Sequence, residues 1–232
     1  MKPMIFQYGQ EATDYLRKKD KILGEAIDRI GPIEREIMTN IFEALVNNIV
    51  GQQISMKALE TVWKRMVSMI GTITPENIAG KSAKEIQACG ISMRKAEYIK
   101  LAADQVMSGE LEIESLYDLP DEAVIERLSE LKGIGIWTAE MILIFSMQRA
   151  NIMSWNDLAI HRGLRMLYHH RRIDKKLFDK YKRRYTPYAS VASLYLWEIA
   201  TGAIPGMKDY APLSDAEKKR RAKARRRGML KP

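Results

Sequence analysis

The sequence predicts an all-α protein of two helical lobes followed by a strongly basic tail expected to be disordered. Apolar residues recur at helical spacing along most of the 232 residues. Helix-start residues stand ahead of several of these runs. No Asn-Gly or Asp-Gly pair and no run of alternating residues argues for a sheet. The expected layout is one helical domain over residues 1–213, with the tail over 214–232.

The clearest period begins at Glu36. Ile37, Ile41, Leu45 and Ile49 fall four apart, as do Met38, Phe42, Val46 and Val50, and this wide apolar stripe predicts a buried helix over 36–50. Thr74-Pro75-Glu76 puts a capping hydroxyl before a proline at the first helical position. Ser82 with Glu85 is a capping box. Asp121 after Pro120 reads as the cap of a helix over 122–130. Apolar positions at helical spacing predict further helices over 93–107, 136–147, 158–167 and 191–200. Gly71, Gly80, Gly90 and Gly109 mark short loops, and no internal repeat of fixed period is present.

Hydrophobic residues make up 46% and charged residues 29%, the balance of a globular domain able to bury a core. No stretch is long and apolar enough for a membrane span, and no signal peptide is expected at Met1-Lys2-Pro3-Met4. A single cysteine, Cys89, cannot form an internal disulfide, a zinc site or an iron–sulfur site, so a reducing cytoplasm or a nucleus is the expected compartment. The formal net charge is +9. Nine lysines and arginines in residues 214–232, against Asp215 and Glu217, supply most of it. Two readings of that tail stand together: a polyanion-binding arm, or a solvated targeting signal.

Leu131-Lys132-Gly133-Ile134-Gly135-Ile136-Trp137-Thr138-Ala139 lies between two helical patterns. Two glycines one residue apart allow a tight turn and leave the backbone N–H groups of the following helix uncovered. Such a terminus attracts phosphate, since its donors are unpaired and the helix dipole is positive there. A plain interhelical turn is the competing reading. A Rossmann loop is excluded by the helix that precedes the glycines.

The whole string closely resembles the helix-hairpin-helix of base-excision DNA glycosylases. Asn156-Asp157-Leu158-Ala159-Ile160-His161-Arg162, twenty residues after Trp137, resembles that superfamily's aspartate loop. Ile49-Val50-Gly51-Gln52-Gln53-Ile54-Ser55 is similar to the DNA-wedge segment of its alkyladenine branch, the relatives of DNA-3-methyladenine glycosylase II. Gly90-Ile91-Ser92 with Arg94-Lys95-Ala96, and Pro187-Tyr188 through Leu196-Trp197, match further segments of that branch. The resemblance spans roughly residues 36–197 and implies the compact form, without the amino-terminal β domain of some members.

The resemblance implies a monofunctional glycosylase that hydrolyses the N-glycosidic bond of alkylated purines in damaged double-stranded DNA, as a monomer. Gln53 is then the wedge, with Gln52 and Ser55 beside it. Gly133, Gly135 and Thr138 contact the DNA backbone. Asp157 is the carboxylate that stabilises an oxocarbenium-like sugar and orients water. Aspartate before a helix is also an ordinary N-cap, and Asn156 is expected to take that place and release Asp157 for chemistry. Trp197 stacks on the flipped base and Trp137 lines the same cleft, with Trp155 and Tyr188 as further candidates; core packing is the alternative for each. Met141 stands where some relatives have a pocket tyrosine.

Trp137 also occupies the position of the lysine that lyase-type relatives use to form a Schiff base, which indole cannot do. No cofactor is expected apart from a sodium or potassium ion that the family holds at the hairpin carbonyls of Ser129, Leu131 and Ile134. His161, His169 and His170 lack acidic partners at metal-ligand spacing and are expected to be solvated or to face phosphate. Two other functions remain: a glycosylase for oxidised or mismatched bases, and a non-catalytic DNA-binding module that keeps the hairpin.

Overall fold

The structure, a computed structural model, describes residues 4–212. The basic tail over 214–232 lies outside the described residues. Helices run in the order α1 (Gln10–Lys19), α2 (Lys21–Ile30), α3 (Ile41–Gly51), α4 (Met56–Ile70), α5 (Pro75–Ala79), α6 (Ala83–Gln87), α7 (Met93–Met107), α8 (Asp121–Ser129), α9 (Ile136–Phe145), α10 (Leu158–Tyr168), α11 (Lys175–Tyr185) and α12 (Ala189–Thr201). A 3-10 turn, Glu114–Asp118, precedes α8. The only extended pairing among the described residues is an isolated bridge between Ile5 and Glu36. None of these helices is long and apolar enough to cross a membrane.

The chain divides into two compact units. The first comprises residues 1–9, 34–156 and 187–190. Its core gathers Phe42, Leu45, Val46 and Ile49 of α3, Ile99 and Ala103 of α7, and Ile142 to Ile144 of α9. The helix read over 36–50 starts five residues late, at Ile41. Asn40 caps it by accepting the Glu43 N–H at 2.9 Å. Residues 35–37 instead pair with the amino-terminal segment, through Phe6 N–H to the Arg35 carbonyl and Ile37 N–H to the Met4 carbonyl. Apolar spacing continued across Ile37 and Met38, but the cap decided where the helix begins. Thr74, Ser82 and Ser92 cap α5, α6 and α7. Pro120, not Asp121, is the N-cap residue of α8; Asp121 lies inside the helix, 3.6 Å from Arg149.

The second unit comprises residues 10–33, 157–186 and 191–232. Its described part holds α1, α2, α10, α11 and most of α12. Asp20 accepts the Leu23 N–H to cap α2 and also binds Arg184 of α11 at 2.5 Å. Beside this pair Tyr168 stacks on Tyr181, and the hydroxyls of Tyr168 and Tyr185 share a hydrogen bond of 2.7 Å. Burial pushes the Tyr181 phenol up to about 12 and those of Tyr168 and Tyr185 further still, so all three remain protonated and able to donate.

Candidate active site

In the first unit α8 runs into the hairpin. Leu131 N–H donates to the Leu128 carbonyl at 3.2 Å and Ile134 N–H to the Leu131 carbonyl at 3.0 Å, which closes the turn. Gly133 has φ +89°, and a Cβ there would lie 2.5 Å from Tyr98 Cδ2, so two separate causes exclude a side chain. Gly135 differs. Its φ is −102°, and a Cβ would meet nothing within 4 Å. The fold makes no demand for glycine there, and the bare backbone leaves room for a group approaching from outside. No side chain caps α9, whose N-cap residue is Gly135. Its leading N–H groups therefore suit an external acceptor such as phosphate.

Just past the turn Ile136 and Trp137 are exposed, at 52% and 41%, while Thr138 and Met141 are buried. Trp155 and Tyr188 are half-buried. Glu140 is the one charged residue of α9; it is buried and accepts the hydroxyl proton of Ser154. Its charge in an otherwise apolar helix was a signal that the sequence reading passed over. In the wedge segment Ser55 caps α4, accepting the Ala58 N–H at 3.2 Å. Gln52 donates its amide N–H to the Gly133 carbonyl at 2.6 Å. Gln53 is exposed and has φ +58°, a backbone region that residues other than glycine seldom occupy.

In the second unit Asp157 is 6% exposed. Its Oδ1 accepts the N–H groups of Ala159 and Ile160, both at 2.8 Å. Asp157 is thus itself the N-cap of α10, and Asn156, expected to cap, is exposed. The extended backbone of residue 157 (φ −87°, ψ 108°) puts its carboxylate over the helix start. A glycine the sequence reading missed positions this helix. A Cβ on Gly163 of α10 would lie 2.3 Å from the Leu196 carbonyl oxygen. The helix carrying Asp157 and the one carrying the half-buried Trp197 therefore meet backbone to backbone. Leu158, next to Asp157, is 83% exposed. The histidines pack against rings: His161 on Phe178, His169 against Tyr210, and His170 bonded to the Tyr181 hydroxyl at 2.7 Å. No group of three or more histidine, cysteine, aspartate or glutamate side chains among the described residues could hold a metal ion.

Residues 46–187 match the model of the HhH-GPD superfamily base excision DNA repair proteins. The chain belongs to that superfamily. Its sequence is 35% identical to DNA-3-methyladenine glycosylase 1 of Schizosaccharomyces pombe over 164 residues, 68% of this chain and 72% of that protein. Its fold superposes on a DNA-3-methyladenine glycosidase of Bacillus halodurans with a TM-score of 0.77 and 34% identity, over 86% of this chain and 93% of the other. It also superposes on the Schizosaccharomyces pombe 3-methyladenine DNA glycosylase in complex with abasic DNA, with a TM-score of 0.73 and 30% identity, over 84% and 99%. Gln52, Gln53, Ser55, the hairpin and Asp157 of this HhH-GPD protein lie inside the matched span, and Tyr188 and Trp197 beyond it.

Proposed function

We propose that this HhH-GPD protein is a monofunctional, monomeric DNA glycosylase that releases alkylated purines, of the 3-methyladenine and 7-methylguanine type, from duplex DNA. The observation that carries the reading is that one chain holds both an uncapped, glycine-bared α9 start and a buried carboxylate at residue 157, and that its relatives at 30% identity or more are named for 3-methyladenine. The target nucleotide leaves the stack, at a cost of about a few kcal/mol, and Gln53 fills the gap. The bond from C1′ to the purine nitrogen breaks, the electron pair leaves with the base, and the Asp157 carboxylate stabilises the cationic sugar. Water adds to C1′ and its proton passes to Asp157. Trp137, Trp197, Trp155, Tyr188 and Met141 are the proposed lining for the base. An alkylated purine carries positive charge, which favours aromatic faces.

Trp137 has no amine, so the product is an intact abasic strand. A sodium or potassium ion at the carbonyls of Ser129, Leu131 and Ile134 belongs to the same proposal. The Ser129 hydroxyl is buried without a hydrogen-bond partner, which fits an oxygen awaiting a donor or a cation. Oxygen donors of this kind suit a hard cation, whose charge would draw a phosphate. The nucleoid or the nucleus is the proposed place of action.

The test is a panel of duplexes, each with one defined lesion, assayed for base release and for strand breakage with and without later alkali. Release from the alkylated purines, with breakage only after alkali, is expected. Trapping a covalent enzyme–DNA adduct with borohydride would overturn the hydrolytic reading.

A further inference from the structure

The turn between α3 and α4 is poorly held by its own backbone. Gln52 N–H reaches the Ile49 carbonyl and Ile54 N–H the Gly51 carbonyl only at 3.4 Å, long for bonds of this kind. Gln53, between them, sits at φ +58°. A strained, exposed residue on a loose turn would swing unless something outside the turn fixed it.

Lys95 of α7 does this. Its ammonium donates to the Val50 carbonyl at 2.9 Å and to the Gln52 carbonyl at 2.6 Å. These are end-of-helix carbonyls, which a cation suits by hydrogen bonding and by the dipole. Lys95 is half-buried, and burial lowers its pKa. One turn along α7, Tyr98 packs beneath Gly133 of the hairpin, and Arg94 Nε donates to the Tyr98 hydroxyl at 2.6 Å. The Gln52 side chain then joins the two sites through its bond to the Gly133 carbonyl. One face of α7 thus supports both the wedge turn and the hairpin.

We propose that Lys95 is a positioning residue, whose clamp on the Val50 and Gln52 carbonyls sets Gln53 at a fixed place relative to the hairpin, so that phosphate grip and insertion into the duplex act as one event. The inference rests on the reading of Gln53 as the wedge of a base-flipping enzyme. Lys95 touches neither DNA nor the reacting atoms in this account; it acts through Gln53.

The test compares wild type, Lys95→Met, Gln53→Ala and the double variant. Two quantities are read: the preference for a duplex holding a tetrahydrofuran abasic analogue over an undamaged duplex, and single-turnover release at saturating enzyme. Lys95→Met should lower the preference about tenfold or more and release about 10²-fold, as expected for a misplaced positioning group. Its affinity for undamaged duplex should stay within about twofold, since phosphate contacts are intact. The decisive outcome is in the double variant, which should lose no more than Gln53→Ala alone. Unchanged preference in Lys95→Met, or losses that multiply in the double variant, would overturn the proposal. Should Lys95→Met not fold, Lys95→Gln keeps a shorter donor and is read on the same two quantities. A wild type that prefers the abasic analogue but releases no base counts against the proposed function alone, because the preference still reads the clamp.

Discussion

Asp157 caps α10 and is the proposed catalytic carboxylate, and one substitution separates the two roles. Asparagine caps a helix about as well as aspartate, so Asp157→Asn should retain the bonds from Ala159 and Ile160 and leave stability nearly unchanged. It removes the negative charge that would face the sugar cation. Single-turnover release should then fall by about 10²–10³-fold, the usual cost of losing one electrostatic stabiliser, while binding to an abasic analogue persists. Near-normal release would confine Asp157 to capping. Asp209 makes the opposite kind of prediction. Its carboxylate binds Arg165 through two bonds of 2.7 and 2.6 Å, which holds it below the usual aspartate range. A lowered pKa in the folded state stabilises the protein above the unfolded value, near 4, and that stability is lost as pH falls through the folded value. Asp209→Asn should therefore cost about 1 kcal/mol or less at pH 7, the pair being partly solvated. Urea midpoints of the two proteins should converge as pH is lowered below about 4.

Between elements, the α10–α12 crossing is the tightest contact the glycines reveal. With a Cβ 2.3 Å from the Leu196 carbonyl oxygen, Gly163→Ala must push two helix backbones apart. The expected loss is about 2–3 kcal/mol, as for overpacked cores, visible as a lower urea midpoint with an unchanged slope. Release should fall beyond what stability explains, because the Asp157 and Trp197 helices move apart; full release at wild-type rate would show that their spacing is not critical. Nothing in the sequence marks Gly163, since its partner lies thirty-three residues away and the surrounding period is unbroken. What was legible is local: apolar spacing announced α7, and Ser82 with Glu85 announced α6. The misreadings were local conflicts. Apolar spacing ran through Ile37 and Met38 until Asn40 cut it, and of two adjacent side chains able to cap, Asp157 rather than Asn156 met the helix start. The hairpin and aspartate loop could be read because each is one continuous string. The bonds of Lys95 and Gln52 join residues about forty and eighty positions apart, beyond any spacing rule.

Across the whole molecule the net charge of +9 is unevenly spread. Residues 214–232 hold most of it, but residues 171–184 add eight basic side chains against Asp174 and Asp179, so the rest of the chain is net acidic. In α11 the apolar positions Phe178, Tyr181 and Tyr185 are buried, while Lys176, Lys180 and Arg183 are exposed along another face. Ion pairs engage Lys175 with Asp179 and Arg184 with Asp20; the three stripe residues have no ionic partner among the described residues. A duplex offers phosphates to both basic regions, and each phosphate neutralised steepens the dependence of log affinity on log salt by about 0.9. Replacing the stripe by glutamine should flatten that slope by up to about 3, and deleting residues 214–232 should flatten it separately. Both changes should weaken binding to damaged and undamaged duplex alike, because phosphates carry no lesion information. Saturated single-turnover release should hold, since neither region includes Asp157 or the hairpin. A deletion that flattens the slope while the stripe variant does not would assign the steering charge to the tail alone. A stripe variant that loses saturated release would mean that α11 acts on the flipped nucleotide and not on the backbone around it.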